Sequence, residues 1–277
     1  MHLLIFGLGY TAARVAAAVR AEGWRVVGTT RDGRGDSIAF DDAGAVRHAA
    51  ATATHILSSV PPEGDADPVL DRYGALLTER HWLGYLSSTG VYGDTQGAWV
   101  DESAPTGGGR RTARAAADAA WLAAGARVFR LPGIYGPSRS ALDRVREGKA
   151  HRTGDPDQVF SRVHVDDIVS GVVAALDAPA GAYNLANDHP APQDAVVSFA
   201  AQLLGLKPPP LVALEELSPM ARAFHTENRR VANGKAKRVL DWTPRYPDYR
   251  AGLRALNAQT SPAIASSAPP PASSDQR

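Results

Sequence analysis

Leu3-Leu4-Ile5-Phe6-Gly7-Leu8-Gly9-Tyr10-Thr11-Ala12 is the stretch of sequence that decides the fold. Its first four residues are continuously apolar, which is typical of a parallel strand buried on both faces. An alanine-rich segment over residues 11–22 follows, with Val15 and Val19 on one face, and Gly23 occupies the place of a helix C-cap. The stretch therefore predicts a strand, a glycine turn and a helix.

The turn Gly7–Ala12 fits the pattern G-x-G-x-x-G/A, with Tyr10 and Thr11 at the start of the helix. Gly7 permits the tight turn, and Gly9 lacks the Cβ atom that would collide with a pyrophosphate. Ala12 lets the helix pack closely on the strand, while the helix N-terminus stabilises phosphate charge. The turn therefore predicts a dinucleotide site, and a tight turn without a ligand is the alternative.

The end of the second predicted strand, residues 25–29, bears on which dinucleotide binds. Proteins that bind NAD usually carry Asp or Glu there, whereas proteins that bind NADP carry a basic or hydroxyl group near the 2′-phosphate. Here Thr30 takes the place of the acid and Arg31 follows it, so the sequence favours NADP. Asp32, the next residue, keeps NAD open as the second possibility.

Strands and helices continue to alternate through the first half of the chain. The further strands are predicted at 55–60, 83–88 and 127–131, and the helices between them at 71–79 and 113–124. This spacing favours α/β class, a Rossmann-type doubly wound parallel sheet. After about Ser138 shorter helices and strands predict a smaller α+β C-terminal substrate lobe. The predicted divisions are a dinucleotide-binding domain over 1–160, an interleaved substrate-binding lobe over 161–258 and a disordered tail over 259–277.

Composition excludes several classes of protein. The 277 residues include 30 basic and 29 acidic side chains, so the charge gives no reason to expect nucleic acid or an anionic membrane as a partner. The absence of cysteine excludes disulfides, thiolate nucleophiles and Cys-based metal sites. The apolar run at residues 3–6 is too short for a signal peptide or a membrane span. We therefore expect a cytoplasmic monomer or homodimer that acts on a small molecule.

Four later segments together resemble one family. Residues 85–94 (YLSSTGVYGD) resemble the SS-x-x-VYG active-site strand of extended short-chain dehydrogenases/reductases, the NAD-dependent epimerase/dehydratase proteins. Residues 130–137 (RLPGIYGP) and 160–168 (FSRVHVDDI) resemble their R-x-x-x-YGP and VHVDD segments, and residues 183–186 (YNLA) follow in order. The resemblance extends from residue 1 to about 256. It implies an NAD(P)-binding oxidoreductase or epimerase acting on a small hydroxyl or carbonyl compound, with nucleotide sugars among the candidates.

The resemblance also implies roles for individual residues. Ser88 matches the Ser/Thr that hydrogen-bonds the reacting hydroxyl in the family. Val60 and Pro61 resemble the strand edge that lies along the adenosine, and Pro132 would lie against the nicotinamide amide. Tyr92 is the nearest phenol that could move the proton, with packing beneath the cofactor as the alternative.

The chain departs from the family at the Tyr-x-x-x-Lys pair, where Arg110 takes the tyrosine position and Arg114 the lysine position. Arginine does not release its proton near neutral pH, so Arg110 cannot act as the acid/base, although Arg114 can still bond a ribose or a phosphate. Thr89 and Gly90 replace the Asp-Glu pair of the sugar-nucleotide dehydratases, which argues against acid/base elimination. A non-catalytic dinucleotide-binding or sensing protein is therefore the second hypothesis.

Two other groups of polar residues invite a functional interpretation. His164 with Asp166 and Asp167 matches no metal-ligand spacing, so we predict no metal site and expect one of the two carboxylates to cap a helix. The basic stretch 228–238 lacks interleaved aromatic residues and is interpreted as a solvated helix face. In the family this region borders the substrate cleft, so Arg229 or Arg230 meeting an anionic group is the alternative.

Overall fold

The computed structural model describes residues 1–78, 81–109 and 112–260. Its strands, in chain order, are β1 (His2–Phe6), β2 (Arg25–Thr30), β3 (Ile38–Ala39), β4 (His55–Ser58), β5 (Trp82–Ser88), β6 (Trp99–Val100), β7 (Arg127–Leu131), β8 (Gly133–Tyr135), β9 (Val159–Phe160), β10 (Arg162–His164), β11 (Gly181–Asn184), β12 (Ala191–Pro192) and β13 (Arg230–Val231). Its α-helices are α1 (Tyr10–Ala21), α2 (Ala43–Thr52), α3 (Pro68–Tyr73), α4 (Thr112–Ala123), α5 (Ala141–Arg146), α6 (Val165–Ala174), α7 (Gln193–Leu203), α8 (Pro219–Phe224), α9 (Gly234–Leu240) and α10 (Tyr249–Thr260).

A seven-stranded parallel sheet forms the centre of the molecule, with the strand order β11-β7-β5-β4-β1-β2-β3. β1 pairs with β2 on one side and with β4 on the other. The chain therefore runs outward from β1 in one direction and returns to continue in the other. In such sheets ligands bind in the crevice at the carboxyl ends of the strands where the direction reverses. The predicted α/β class with a Rossmann-type parallel sheet is confirmed.

Alternate residues of β1 face opposite helix layers, as the two-residue period of a strand requires. Leu3 and Ile5 pack with residues of α1 and α6, whereas Leu4 and Phe6 pack with residues of α2 and α4. All four side chains are at most 4% exposed. Burial on both faces explains why the run is apolar without interruption, and it fixes the turn at the end of β1 to a rigid base.

Two elements differ from the sequence prediction. The helix expected at 71–79 begins earlier, at Pro68, and ends at Tyr73 before a 3₁₀ turn. The Asp67 carboxylate accepts hydrogen bonds from two backbone N–H groups of its first turn, and Pro68 fits the first helical position. Helix α2 was not predicted, although Asp42 caps it through the backbone N–H of Ala45.

The range 161–258 contributes to both parts of the molecule. Strand β11 extends the central sheet beside β7, and α6 packs on α1. The smaller lobe contains the strand pairs β8/β10, β9/β12 and β6/β13, with α5, α7 and α10 around a core of their own. Helix α10 extends to Thr260, so the predicted tail cannot begin at 259, and residues 261–277 lie outside the described residues. Within the described ranges, none of the helices combines the length and apolar character of a membrane span.

Candidate functional site

The glycine turn is held from both neighbouring strands. Gly7 has φ = 82°, a backbone conformation that glycine adopts without strain. Its N–H donates to Thr29 Oγ1 at 3.1 Å, and its carbonyl accepts from Ser59 Oγ at 2.6 Å. A Cβ atom on Gly7 would lie 3.1 Å from Val60 Cγ2. The turn is therefore anchored between the ends of β2 and β4, and Val60 lies against Gly7 without lining the cleft.

Gly9 is the N-cap of α1 and has no side chain with which to cap this helix. A Cβ atom on Gly9 would meet no other atom within 4 Å, so it would project into open space. Ala12 is fully buried, which lets α1 lie close to the sheet. An open, uncapped helix N-terminus with its positive dipole end is a ready site for a phosphate group. These residues fit the diphosphate of a dinucleotide.

A cleft of about 980 Å³ extends from this turn along the carboxyl ends of the strands to the smaller lobe. Several of the residues predicted for the site line it together: Gly9, Tyr10, Thr11, Pro61, Ser88, Arg114 and Pro132. The Ser88 hydroxyl accepts from the N–H of Gly90 at 3.1 Å, which fixes the side chain at the end of β5. The structure therefore brings the glycine turn, the strand ends and Arg114 to one continuous surface.

Tyr10 connects the turn to the smaller lobe. Its hydroxyl donates to the carbonyl of Pro137 at 3.0 Å, and its ring lies under the guanidinium of Arg14 at 3.9 Å. A Cβ atom on Gly136 would come within 2.7 Å of the Tyr10 hydroxyl. The Tyr-Gly-Pro segment that carries part of the family resemblance thus closes against the first residue of α1.

Thr30, the last residue of β2, and Arg31, the first residue after it, both lie outside the cleft wall. The Thr30 hydroxyl lies 2.7 Å from Ser37 Oγ and accepts from the N–H of Arg34 at 3.1 Å. Thr30 therefore shapes this loop, while the Arg31 and Arg34 side chains are exposed. Arg34 adds a second basic group near the end of β2, which the sequence interpretation did not single out.

The structure places Tyr92 away from the cleft, which corrects its assignment as a proton donor. The Tyr92 side chain is 4% exposed, and its hydroxyl donates to Asn184 Oδ1 at 2.7 Å. The same hydroxyl accepts from Arg130 Nη1 at 3.0 Å. Burial raises the pKa of Tyr92. Its hydroxyl is thus fully engaged within the protein, in a place that a substrate in the cleft does not reach.

Tyr92 belongs to a buried set of polar side chains, which we name the Asp118 network: Ser87, Tyr92, Asp118, Arg130 and Asn184. Asp118 accepts from Ser87 Oγ at 2.6 Å and from Arg130 Nη2 at 2.7 Å. Burial alone would lower the pKa of Arg130, but its hydrogen bonds and ion pair with Asp118 raise it. The sequence signal that was missed is a lone aspartate in the alanine-rich helix α4.

The helix cap at His164 also differs from the prediction. Helix α6 is capped by His164, whose Nδ1 accepts from the N–H of Asp166 at 3.2 Å, and by neither aspartate. Asp167 instead accepts from the backbone N–H groups of Arg245 at 2.7 Å and Tyr246 at 3.1 Å. Burial raises the pKa of Asp167 to about 6. Among the described residues, no group of three His, Asp or Glu side chains is arranged to hold a metal ion.

The far wall of the cleft comes from the smaller lobe, and sequence reasoning missed most of it. Arg162, Gln193 and Phe160 line this wall. Arg229 lines it as well, and its Nη1 donates to Glu227 Oε2 at 2.9 Å. Arg230 lies outside the cleft in strand β13, so the stretch 228–238 is not the single helix face that was predicted.

No family model matches the chain. Protein YeeZ of Escherichia coli (strain K12) is 30% identical over 236 residues, which cover 74% of this chain and 84% of YeeZ. A solved structure of a functionally unknown conserved protein from Silicibacter pomeroyi DSS is 39% identical, with a TM-score of 0.83, and the match covers 93% of this chain and 98% of that one.

The chain belongs to the extended and atypical group of short-chain dehydrogenases/reductases, the NAD-dependent epimerase/dehydratase family. The family resemblance predicted from the motifs is confirmed. A 3-diazoavenalumate denitrifying reductase from Streptomyces sp is 34% identical over 166 residues, 54% of each chain, so the match spans about half of that relative.

Two other solved structures share the fold at lower identity. MoeE5 in complex with UDP-glucuronic acid and NAD has a TM-score of 0.75 at 20% identity, and the match covers 94% of this chain and 99% of MoeE5. The human epimerase family protein SDR39U1 with NADPH has a TM-score of 0.71 at 17% identity, and the match covers 93% of this chain and 99% of SDR39U1. The two-part architecture is therefore shared along nearly the whole of these chains.

Proposed function

We propose that this family member is an NAD(P)-dependent oxidoreductase acting on a small hydroxyl or carbonyl compound. The observation that carries the proposal is the continuous cleft from the open Gly9 turn, past Ser88, to the smaller lobe. One end of the cleft suits a dinucleotide and the other suits a substrate, so the two could meet in one cleft for hydride transfer. MoeE5, of the same fold, is described with nucleotide sugars, which are therefore among the substrates to be tested here.

The residues that line the cleft suggest a division of tasks. The backbone N–H groups at the start of α1 would hold the diphosphate, and Pro132 would lie against the nicotinamide amide. Arg114 would bind a ribose hydroxyl or a phosphate, because a guanidinium donates hydrogen bonds and stays charged. Ser88 would hydrogen-bond the substrate oxygen at the reacting carbon. The cofactor, when bound, supplies or accepts the hydride.

Proton transfer in this proposal does not use a side chain of the Tyr-x-x-x-Lys type. Arg110, at the tyrosine position, lies outside the described residues, and Tyr92 is bonded within the Asp118 network. A water molecule in the cleft, oriented by Ser88, would then exchange the proton. The name of the Streptomyces relative, a reductase, favours reduction over epimerisation for this chain.

NADP is the proposed cofactor, with NAD as the second candidate. The support is that Thr30, the last residue of β2, takes the place where NAD-binding proteins usually carry an acid, and that Arg31 and Arg34 are exposed in the loop after it. Asp32, also exposed in this loop, is the reason to keep NAD as the second candidate. SDR39U1 is described with NADPH and MoeE5 with NAD, so the fold accommodates both. We expect NADPH to raise the melting temperature of the protein more than NADH does, and Arg31→Ala to narrow the difference. Equal shifts with both cofactors would remove the preference.

The test of the function is NADPH oxidation with a panel of aldehydes, ketones and nucleotide sugars. Gly9→Val should abolish dinucleotide binding, because its side chain would occupy the diphosphate space, while Gly74→Ala is the matched control. Gly74 has helical backbone angles, and a Cβ atom there meets nothing within 4 Å. Ser88→Ala should lower kcat/KM by about tenfold.

A second candidate function is non-catalytic binding or sensing of a dinucleotide. The replacement of the lysine by Arg114 and the burial of Tyr92 favour it. Tight NADPH binding without turnover on any substrate would support sensing, and no binding at all would contradict both candidates. We further propose a cytoplasmic monomer or homodimer without nucleic-acid or membrane partners, and light scattering tests the oligomeric state.

A further inference from the structure

Arg162 is a buried cation in the wall of the cleft. It lies at the start of β10 and is 9% exposed. Its Nη1 donates to the carbonyls of Phe160 at 2.9 Å and Ala191 at 2.8 Å, and its Nη2 donates to Gln193 Oε1 at 2.8 Å. A guanidinium carries five N–H donors. These three hydrogen bonds orient the group, and among the described residues they leave its Nε–H and one Nη2–H for another acceptor.

None of these acceptors is charged. In the part of the chain that the structure describes, no carboxylate forms an ion pair with Arg162. Burial lowers the pKa of Arg162 to about 10, which still leaves the group charged at neutral pH. A buried charge without a counter-charge is costly, so it is retained where another partner neutralises it or where function requires it.

Two other arginines show how this protein treats the same group elsewhere. Arg130 is as deeply buried as Arg162 and is neutralised by Asp118 at 2.7 Å. Within the described part of the chain, the Arg127 side chain donates only to the carbonyl of Ala178. Arg127 is half-buried, lies at the start of β7 and does not line the cleft. Arg162 alone among these three combines deep burial, neutral partners and a place on the cleft wall.

We propose that Arg162, oriented by Gln193, is an anion subsite that binds a carboxylate or phosphate group of the substrate. This inference rests on the proposed function, because it assigns the substrate end of the same cleft. Arg162 is in register with Gly133, the residue after Pro132. The anionic group would therefore bind near the reacting end of the substrate. The Phe160 ring, centred 5.8 Å from the guanidinium, adds an apolar wall beside it.

Matched aldehydes test the subsite with the full chain saturated with NADPH. The carboxylate pair is 4-formylbenzoate and its neutral methyl ester, and the phosphate pair is glyceraldehyde 3-phosphate and glyceraldehyde. Binding is measured by ligand-observed NMR, and turnover by NADPH oxidation. We expect the anion of at least one pair to bind about tenfold more tightly or better, as charge-assisted hydrogen bonds do. The pair that shows the preference identifies the source of the anion.

Variants of Arg162 distinguish a role in binding the anion from a purely structural role of its hydrogen bonds. Arg162→Met should abolish the preference, and Arg162→Lys should retain part of it. Arg127→Met, the matched control that removes a guanidinium with a carbonyl partner, should leave it unchanged. A wild-type protein that prefers neither anion, or an Arg162→Met variant that keeps the full preference, would overturn the proposal. If Arg162→Met does not fold, Arg162→Lys and the guanidinium NMR signals of wild-type Arg162 during the titration decide the same question.

Failure of the proposed function gives a different pattern. The anion pairs are also titrated without NADPH, so the charge preference is measured independently of cofactor binding. A preference that depends on Arg162 but is accompanied by no hydride transfer would contradict the oxidoreductase and leave the subsite standing. Hydride transfer without a charge preference would contradict the anion subsite and leave the oxidoreductase standing.

Discussion

Among the residues that the structure describes, the two most deeply buried arginines have opposite electrostatic surroundings. Arg130, in the Asp118 network, meets a carboxylate, a phenol and a neighbouring carbonyl inside the protein. Arg162 meets carbonyl groups and one amide, and it faces the cleft. Both side chains are at most 9% exposed, so burial does not distinguish them. The difference is that one charge is complete within the fold, whereas the other is open toward a ligand.

By this difference, the charge of Arg130 has a structural role and the charge of Arg162 has a functional one. A substitution within a closed network should lower the stability of the protein strongly, because removal of one partner leaves the other charge buried and unpaired. Removal of a cation that has no counter-charge leaves no other charge buried and unpaired. Such a substitution should therefore lower the stability of the protein only slightly, but it should weaken the binding of an anionic ligand strongly. Measurements of stability and of binding therefore test the comparison from two sides.

The largest effect is expected for Asp118→Ala. The substitution leaves the guanidinium of Arg130 buried without a carboxylate, and we expect a loss of about 3 to 5 kcal/mol in the free energy of unfolding. Urea denaturation measures it. Asp41→Ala, which removes an exposed ion pair with Arg72, is the control and should cost about 1 kcal/mol or less. Equal costs for the two variants would contradict the closed network.

The second effect concerns Asp167, a buried carboxylate whose hydrogen-bond donors among the described residues are the backbone N–H groups of Arg245 and Tyr246. Its folded-state pKa of about 6 lies above the usual value of about 3.9, so between these values the folded protein binds more protons than the unfolded chain. Stability should therefore fall, by at most about 3 kcal/mol, as the pH rises from about 4 to about 6. Urea titrations across this range measure it, and Asp167→Asn should remove this part of the pH dependence.

The third effect is that of Arg162→Met on stability. The variant leaves two carbonyl groups and the Gln193 amide oxygen without the donor of Arg162, but it leaves no charged group buried and unpaired. We expect a loss of no more than about 2 kcal/mol, well below that of Asp118→Ala. Urea denaturation of the two variants side by side checks the order. A larger loss for Arg162→Met would mean that its charge is structural.

The smallest effect is expected for Tyr92→Phe. It removes one hydroxyl from the edge of the Asp118 network, so stability should fall by about 1 kcal/mol. Because Tyr92 lies outside the cleft, NADPH binding and turnover should stay within about twofold of the wild type, whereas Ser88→Ala lowers turnover. Steady-state kinetics on both variants check this. A large loss of turnover in Tyr92→Phe with normal stability would restore Tyr92 as a catalytic residue.

The fold and the turn could be predicted because their signals are local. The apolar run 3–6, Gly7 and Gly9 lie within a few residues, and the same segment forms the strand, the tight turn and the open helix end. The family motifs extended the prediction to Pro61, Ser88 and Pro132, which the structure brings to the cleft. Pro61 and Pro132 directly follow predicted strands, and Ser88 is the last residue of one. The carboxyl ends of parallel strands meet at one edge of the sheet.

The misassigned residues depend on partners that are distant in sequence. Tyr92 follows an active-site strand, but its hydroxyl is bonded to Asn184, 92 residues later, so proximity to the motif was misleading. His164 caps α6, because both aspartates lie inside the first turn of the helix rather than at its N-cap. Asp167 instead accepts from backbone N–H groups of residues 245 and 246. Sequence spacing does not reveal which of several polar neighbours a distant segment will engage.

The sequence by itself determined the parallel sheet, the glycine turn and the family, because each is encoded in contiguous residues whose spacing follows strand and helix geometry. Only the tertiary structure decided which charges are paired. Asp118 neutralises Arg130, and no carboxylate of the described chain reaches Arg162. The physical reason is that burial makes a charge sensitive to its nearest partners, and those partners come from segments that meet only when the chain has folded.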